Sequence, residues 1–343
     1  MAKNASAKNT FQAPFVLIKT DLMTKNRKIA ALFPGQGSQF VGMGRDLYEA
    51  FPVVQRVFEE LDDTLSQKLS KVIFEGPIEE LSMTENTQPA LVAVSIAAFR
   101  VLEHMGVKKH DFSFMAGHSL GEYAALCASG VVSFADTVLL LRERGKAMQR
   151  AVPLGEGGMV ALIGADIETA EKLASEASQA GICEVANDNC PGQIVVSGQK
   201  VAMEKVVEIS GNYGIKRALP LNVSAPFHSS MMRAAADHMA SVLAEVPFHK
   251  ADVPILPNVS VRPETDGNTL KKLLVAQITG RVRWSETVRF LIDEQVSKML
   301  EVGAGKVLCG LVKRTSDQVP CMPLGDPNEI EEFVNALSRK EYV

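Results

Sequence analysis

The sequence has few of the features that mark membrane, secreted or nucleic-acid-binding proteins. Its five cysteines are scattered and odd in number, and they form neither a Cys-x-x-Cys pair nor a cluster with histidine. That pattern argues against disulfides and zinc sites and indicates reduced thiols. No stretch approaches the roughly 18 apolar residues that a membrane-spanning helix needs. The net charge of −4 gives no overall attraction to nucleic acid or to a membrane. We therefore expect a cytoplasmic protein.

Residues 1–27 lack the features of a targeting segment. They contain no arginine before Arg27 and no long apolar stretch, so they match neither a transit peptide nor a secretory signal. We expect this extension to be poorly ordered. The chain as a whole, with 343 residues of which 46% are apolar, can bury a substantial core without covalent cross-links. We expect it to be a monomer.

Short apolar runs alternate with helical patterns along the chain. Residues 28–33 and 112–116 are strand candidates. The apolar residues over 88–105 recur at helical spacing, which predicts a helix with Pro89 in its first turn. Ser133 and Asp136 form a capping-box pattern at the start of a further helix. This alternation predicts an α/β fold with a mainly parallel sheet.

One region of the chain has a different order of elements. Residues 158–220 show the pattern β-α-β-β-α-β, which is typical of a ferredoxin-like subdomain. We therefore assign residues 155–221 to an inserted subdomain. Residues 28–154 and 222–343 are assigned to the main α/β core.

The segment Gly117-His118-Ser119-Leu120-Gly121 carries the clearest chemical signal. A strand pattern runs into it and an alanine-rich helix follows at once, which is the strand–turn–helix setting of a nucleophile elbow. A serine in that turn meets free backbone N–H groups and the positive end of the helix dipole. The pattern predicts that Ser119 is a nucleophile, although a simple tight turn would carry the same five residues.

A serine nucleophile needs a base, and the chain has six histidines. His228 differs from the others because it follows a strand-like run and opens a helix, a position where α/β proteins form sites. An ordinary surface histidine is the alternative. No Asp or Glu is an obvious third member of a triad. Arg144 is either a two-pronged clamp for a carboxylate or part of a solvated helix face.

Six segments together resemble the malonyl-CoA:acyl carrier protein transacylases. They occur in the order of that family across residues 28–315. The segments are Phe33-Pro34-Gly35-Gln36-Gly37-Ser38-Gln39, Gly117-His118-Ser119-Leu120-Gly121-Glu122-Tyr123, Arg144-Gly145-Lys146-Ala147-Met148-Gln149, Pro226-Phe227-His228-Ser229, Gln277 ahead of Val282-Arg283-Trp284, and Glu301-Val302-Gly303-Ala304-Gly305-Lys306-Val307-Leu308. The resemblance implies a hydrolase-like α/β core with an inserted ferredoxin-like subdomain.

The resemblance also implies catalytic roles. Ser119 would attack a thioester and carry the acyl group, and His228 would act as general base and then as general acid. The backbone carbonyl of Gln277 would orient His228 in place of a triad carboxylate. The backbone N–H groups of Gln36 and Leu120 would form the oxyanion hole.

Substrate and partner are implied in the same way. Arg144 would pair with the free carboxylate of malonyl-CoA, and Phe227 would crowd a substituent at the α-carbon. The basic pair Lys313 and Arg314 is predicted, by analogy with the family, to contact an acyl carrier protein. No bound cofactor or metal is expected, and neither nucleic acid nor membrane is expected as a partner.

The implied activity is transfer of malonyl units for fatty-acid synthesis through a serine acyl-enzyme. Three alternatives stay open from the sequence. A serine thioesterase would share the elbow but use water as acceptor. A polyketide-pathway acyltransferase would accept a broader range of acyl groups. A carrier-binding module without catalysis would have kept only the fold.

Overall fold

The structure is a computed structural model that describes residues 28–223 and 225–338. The prediction that residues 1–27 are poorly ordered lies outside the described residues. The strands are β1 (Lys28–Phe33), β2 (Phe114–Gly117), β3 (Gly157–Ile163), β4 (Cys183–Cys190), β5 (Gln193–Gln199), β6 (Arg217–Pro220), β7 (Val282–Arg283), β8 (Val296–Val302) and β9 (Cys321–Leu324). The helices are α1 (Arg45–Ala50), α2 (Pro52–Leu65), α3 (Leu69–Glu75), α4 (Ile78–Leu81), α5 (Thr84–His104), α6 (Gly121–Ala128), α7 (Phe134–Arg150), α8 (Ile167–Ala177), α9 (Lys200–Ile209), α10 (Arg233–Ala244), α11 (Gly267–Thr279), α12 (Trp284–Asp293), α13 (Val307–Thr315) and α14 (Pro327–Ser338). None of the helices within these ranges is long and apolar enough to cross a bilayer.

The main sheet has the strand order β2-β1-β8-β9, and all its pairs are parallel. One of its two central strands, β1, is apolar on both faces, as parallel strands covered by helices are. Ala31 and Phe33 pack into the core that includes residues of α5, α6 and α7, whereas Ala30 and Leu32 face the core formed with α12 and α13. The α/β fold with a mainly parallel sheet is therefore confirmed.

The register of the main sheet determines where its loops meet. Phe33 at the end of β1 lies opposite Gly117 at the end of β2. Because the two strands are parallel, the loop after β1 and the turn after β2 emerge at the same edge.

The second sheet contains the predicted βαββαβ segment. Its order is β6-β3-β5-β4, with antiparallel neighbours, and α8 and α9 supply the apolar residues that cover one of its faces. The sequence did not predict its fifth strand, β7, which pairs parallel to β4. Because β7 follows α11 of the main body, this pairing fastens the second sheet to the rest of the chain. The division at residues 155 and 221 stays a prediction.

The start of α5 differs from the prediction. The helix begins at Thr84, so Pro89 lies inside it. This earlier first turn packs closely against α7, since a Cβ added at Gly145 would lie only 2.6 Å from the Cα of Glu85. The close approach of the two helices brings Gln88 on α5 to Arg144 on α7. The predicted cap of α7 is confirmed, since the Ser133 side chain accepts from the Asp136 N–H.

The turn from β8 into α13 depends on a buried carboxylate. The side chain of Glu301 is fully buried, and its oxygens accept from the backbone N–H groups of Leu308 (3.0 Å) and Cys309 (2.7 Å). A carboxylate at a helix N-terminus satisfies N–H groups that have no partner within the helix.

We expect Glu301→Leu to destabilise the fold, because the two N–H groups would remain buried without an acceptor. The free energy of unfolding should fall by about 1–3 kcal/mol, measured by urea denaturation. Glu294→Leu is the matched control, since Glu294 is 41% exposed and forms a surface ion pair with Lys28. Equal denaturation midpoints for the two variants would contradict this reading of Glu301.

Candidate active site

Ser119 lies in a strained turn between β2 and α6. Its backbone φ is +52°, a conformation that non-glycine residues adopt at a cost and often at functional sites. A Cβ added at Gly117 would lie 1.9 Å from the backbone of Gly121, and one added at Gly121 would lie 2.3 Å from the Phe33 carbonyl oxygen. Both glycines are therefore required by close backbone contacts, as a nucleophile elbow demands.

The structure brings His228 to Ser119. The Nε2 atom of His228 is 2.8 Å from the Ser119 Oγ, and its Nδ1 atom is 2.9 Å from the backbone oxygen of Gln277. Because a carbonyl only accepts, Nδ1 carries the proton and Nε2 is free to accept from the serine hydroxyl. The alternative of a surface histidine is wrong, since the residue is only 4% exposed. Burial first, and the nearby Arg144 cation second, lower the pKa of His228 to about 3.

Arg144 is buried beside the serine and is not part of a solvated helix face. It is 1% exposed. Its Nη1 donates to the Gln88 Oε1 (2.8 Å), and its Nη2 donates to the Gln277 Oε1 (2.9 Å) and to the Ser119 Oγ (3.1 Å). Within the described chain these hydrogen-bond acceptors are all uncharged, so a buried cation lies next to the serine without a bonded counter-ion.

Two backbone N–H groups are free near the elbow. Leu120 is the residue that precedes α6, and Gln36 lies in the loop after β1. The loop and the elbow touch, because the His118 N–H donates to the Phe33 carbonyl at 3.0 Å. Among residues 28–223 and 225–338, neither the Gln36 N–H nor the Leu120 N–H has a hydrogen-bond acceptor. Both are therefore available to an oxyanion.

The remaining predicted residues occupy two different places. Phe227 is buried next to His228 and packs into the main core. Lys313 and Arg314 lie in the last turn of α13, where they are exposed. The structure does not bring this basic pair to Ser119, and Arg314 instead donates to the Gln193 Oε1 of β5 at 2.6 Å.

The sequence analysis missed the residues that brace the elbow. Asn258 accepts from the Ser119 N–H at 2.7 Å through Oδ1 and donates to the Gly117 carbonyl at 2.7 Å through Nδ2. No local pattern indicates this residue, which stands in a loop. Gln88 was visible as a polar residue in an apolar helix pattern, but its partner was not.

Glu122 is the other residue whose position was missed. It is 1% exposed, and its Oε2 accepts from the Gln277 Nε2 (2.7 Å) and from the Asn258 N–H (2.9 Å). Burial raises the pKa of Glu122 to about 7, against the opposing effect of these hydrogen bonds and of Arg144. In the part of the chain that the structure describes, no group of three or more His, Cys, Asp or Glu residues could hold a metal ion.

Comparison with known proteins agrees with this geometry. Residues 31–339 match the family model of the acyl transferase domain. The chain is 45% identical to the malonyl CoA-acyl carrier protein transacylase of Bacillus subtilis (strain 168) over 314 residues, which cover 91% of this chain and 98% of the relative. It is 43% identical to the protein of that name from Escherichia coli (strain K12) over 301 residues, which cover 88% of this chain and 97% of the relative.

Solved structures give the same result. The acyl-carrier-protein-S-malonyltransferase from Bartonella henselae superposes with a TM-score of 0.89 at 49% identity, covering 90% of this chain and 99% of that one. A malonyl-transacylase in complex with its type II PKS acyl-carrier protein superposes with a TM-score of 0.87 at 42% identity, with the same coverage. The chain therefore belongs to the acyl transferase family and, within it, to the malonyl CoA-acyl carrier protein transacylases.

Proposed function

We propose that the protein transfers a malonyl group from malonyl-CoA to the phosphopantetheine thiol of an acyl carrier protein and so supplies fatty-acid synthesis. One observation carries this proposal. The buried guanidinium of Arg144 donates to the hydroxyl of Ser119, with His228 on the other side of that hydroxyl. A serine nucleophile beside a buried cation that has no bonded counter-ion suits an acyl group that has a free carboxylate.

The first half-reaction loads the serine. His228 Nε2 accepts the proton of Ser119 as Oγ attacks the thioester carbonyl. The carbonyl oxygen becomes negative and takes hydrogen bonds from the N–H groups of Gln36 and Leu120. When the C–S bond breaks, His228 returns the proton to the sulfur, and free CoA leaves. The Gln277 carbonyl keeps the imidazole in the required tautomer throughout.

The second half-reaction uses the same groups in reverse. The carrier's thiol gives its proton to His228 and attacks the ester of Ser119, and the serine oxygen leaves with that proton. The substrate and the product are both thioesters, so their free energies are similar and the exchange needs no other energy source. We therefore propose a ping-pong reaction without a bound cofactor or metal.

Arg144 accounts for selectivity toward malonyl. Bound acetyl would leave the buried guanidinium without an anion, whereas the malonyl carboxylate pairs with it, and unpaired buried charges are strongly disfavoured. The same ion pair would hold the acyl group against attack by water, which disfavours the thioesterase alternative. Phe227, next to His228, would crowd a branch at the α-carbon. This contact would disfavour a branched acyl group relative to malonyl by about 1–3 kcal/mol.

A carrier from a polyketide pathway is the second candidate acceptor. One of the similar solved structures is a transacylase bound to a type II PKS carrier protein.

We also propose residues 28–154 and 222–343 as the catalytic core and 155–221 as the subdomain. The cytoplasmic location and the monomeric state stay predictions.

Brief mixing with malonyl-CoA should give a malonyl adduct in the intact-protein mass spectrum, and Ser119→Ala should give none. We expect Arg144→Ala to slow malonyl loading about 100-fold, which corresponds to losing one partner of a buried ion pair. Loading by acetyl-CoA should not slow in that variant.

The matched control for this experiment is Arg142→Ala. Arg142 lies on the same helix and is also held by two side-chain amides, those of Asn86 and Gln67, but it makes no contact with Ser119. We expect it to keep the ratio of malonyl to acetyl loading. Equal loading of the wild type by both thioesters would remove the selectivity assigned to Arg144. Free malonate without an adduct would favour the thioesterase.

His228 should stay neutral far into the acid range. Its pKa is about 3 because it is buried near Arg144, whereas an unfolded histidine titrates near about 6.5. The unfolded chain thus binds one more proton between these values, so His228 makes stability fall as the pH drops through that window. NMR of the ring C–H, assigned with His228→Ala, should show no midpoint above pH 5 in the folded protein. A midpoint near 6.5 would contradict the burial effect.

The predicted carrier contacts can be tested by charge reversal. Lys313→Glu with Arg314→Glu should raise the KM for an acidic carrier protein about tenfold at low salt, because complementary charges steer association. The KM for malonyl-CoA should not change. The control variant carries Lys200→Glu and Lys205→Glu on α9. It changes the net charge by the same amount as the Lys313 and Arg314 substitutions. Running a fatty-acid carrier and a polyketide carrier side by side distinguishes the two pathways, and unchanged KM values would reject this surface.

A further inference from the structure

A layer of three buried polar side chains lies behind the serine, and the mechanism above uses only part of it. The layer consists of Glu122, Asn258 and Gln277, each no more than 1% exposed. The backbone carbonyl of Gln277 holds His228, but its side-chain amide makes a separate set of contacts. The mechanism above assigns no role to that side chain.

The Gln277 amide links a donor on one side to an acceptor on the other. Its Oε1 accepts from the Arg144 Nη2 at 2.9 Å. Its Nε2 donates to the Glu122 Oε2 at 2.7 Å and to the Ser119 carbonyl oxygen at 3.0 Å. The Gln277 amide is thus a hydrogen-bonded link between Glu122 and Arg144.

The acceptors on Glu122 and Ser119 and the donor on Arg144 together determine which way the amide faces. A guanidinium can only donate, so Arg144 requires an oxygen from Gln277. The Glu122 Oε2 already takes two N–H groups and acts as an acceptor in either protonation state, with any proton on the other oxygen. The reversed amide would place its NH₂ against Arg144 and its oxygen against the oxygens of Glu122 and Ser119, and would lose all three hydrogen bonds.

The same carboxylate oxygen is anchored from the other side of the elbow. It accepts from the backbone N–H of Asn258 at 2.9 Å, and the Asn258 side chain is bonded to the backbone of the elbow on either side of His118. Glu122 therefore has a fixed position relative to Ser119. Through the Gln277 amide, Glu122 thereby helps to hold the Nη2 atom of Arg144 in place.

We propose that Glu122 is a positioning residue for acyl-group selectivity, which acts through the Gln277 side chain to aim the Arg144 guanidinium at the carboxylate of the bound acyl group. The inference rests on the proposed function. It makes Glu122 responsible for the orientation of the Arg144 guanidinium. It assigns no contact between Glu122 and the substrate.

The test compares serine acylation by malonyl-CoA and by acetyl-CoA in Glu122 variants. Glu122→Leu removes the acceptor, and we expect the malonyl-to-acetyl ratio of kcat/KM to fall about tenfold, through a higher KM for malonyl-CoA. Acetyl loading should stay within threefold of the wild type. Glu122→Gln keeps an acceptor oxygen and should restore most of the ratio.

Three results would overturn the proposal. Equal losses for both thioesters would indicate a general defect of the elbow. An equally low ratio in Glu122→Gln would indicate that charge matters and not the acceptor. The third result concerns a Gln277→Ala background, which keeps the backbone carbonyl. There, Glu122→Leu should lower the malonyl-to-acetyl ratio by less than a further twofold. A second tenfold fall would show that Gln277 does not link Glu122 to Arg144.

Glu301→Leu is the matched control, since it removes an equally buried carboxylate whose hydrogen bonds go to the N-terminus of α13 and not to Gln277 or Asn258. It should leave the ratio unchanged even where it lowers stability. If Glu122→Leu does not fold, Glu122→Asp replaces it, because the shorter side chain draws the acceptor away from Gln277, and an unchanged ratio there would overturn the proposal. A wild type that does not prefer malonyl-CoA would instead reject the malonyl selectivity within the proposed function, before any variant is compared.

Discussion

The arrangement of this site depends on one buried cation. Arg144 donates to Ser119 and to two side-chain amides, and none of these acceptors carries a charge. A charge without a bonded counter-ion is costly to bury, so it persists only where rigid elements hold its acceptors. Gln88 is held on α5, Gln277 on α11, and the cation itself on α7. The close contact at Gly145 brings the first and third of these helices together.

The two residues of the reactive pair also have unfavourable backbone conformations. Ser119 and His228 both have positive φ, at +52° and +57°, although neither is glycine. Such backbones persist where surrounding contacts over-determine them. The side chain of Asn258 and the two elbow glycines hold the serine, and the Gln277 carbonyl holds the histidine ring. Gln277 is the point where these constraints join, because its backbone serves the base and its side chain serves the arginine.

The burial of His228 suits the proposed chemistry. A base must be neutral before it can accept a proton, and a buried imidazole near a cation stays neutral. Binding of an anionic acyl group would partly offset that cation, which favours the imidazolium at the moment it forms. The charge of Arg144 would thus affect substrate choice and the protonation of the base together.

Local patterns in the sequence were enough for the elbow, the cap of α7 and the βαββαβ order, because glycine sterics, capping and periodicity act within a few residues. The likeness of six segments to a family supplied the predicted roles of His228 and Gln277 and the predicted oxyanion N–H groups. Tertiary structure alone decided the start of α5, the strand β7 and the contacts of Gln88, Asn258 and Glu122. The partners in these contacts are far apart in sequence, 56 residues for Gln88 with Arg144 and 139 for Ser119 with Asn258. Which of them meet depends on how helices and sheet edges pack, and a local pattern does not encode that packing.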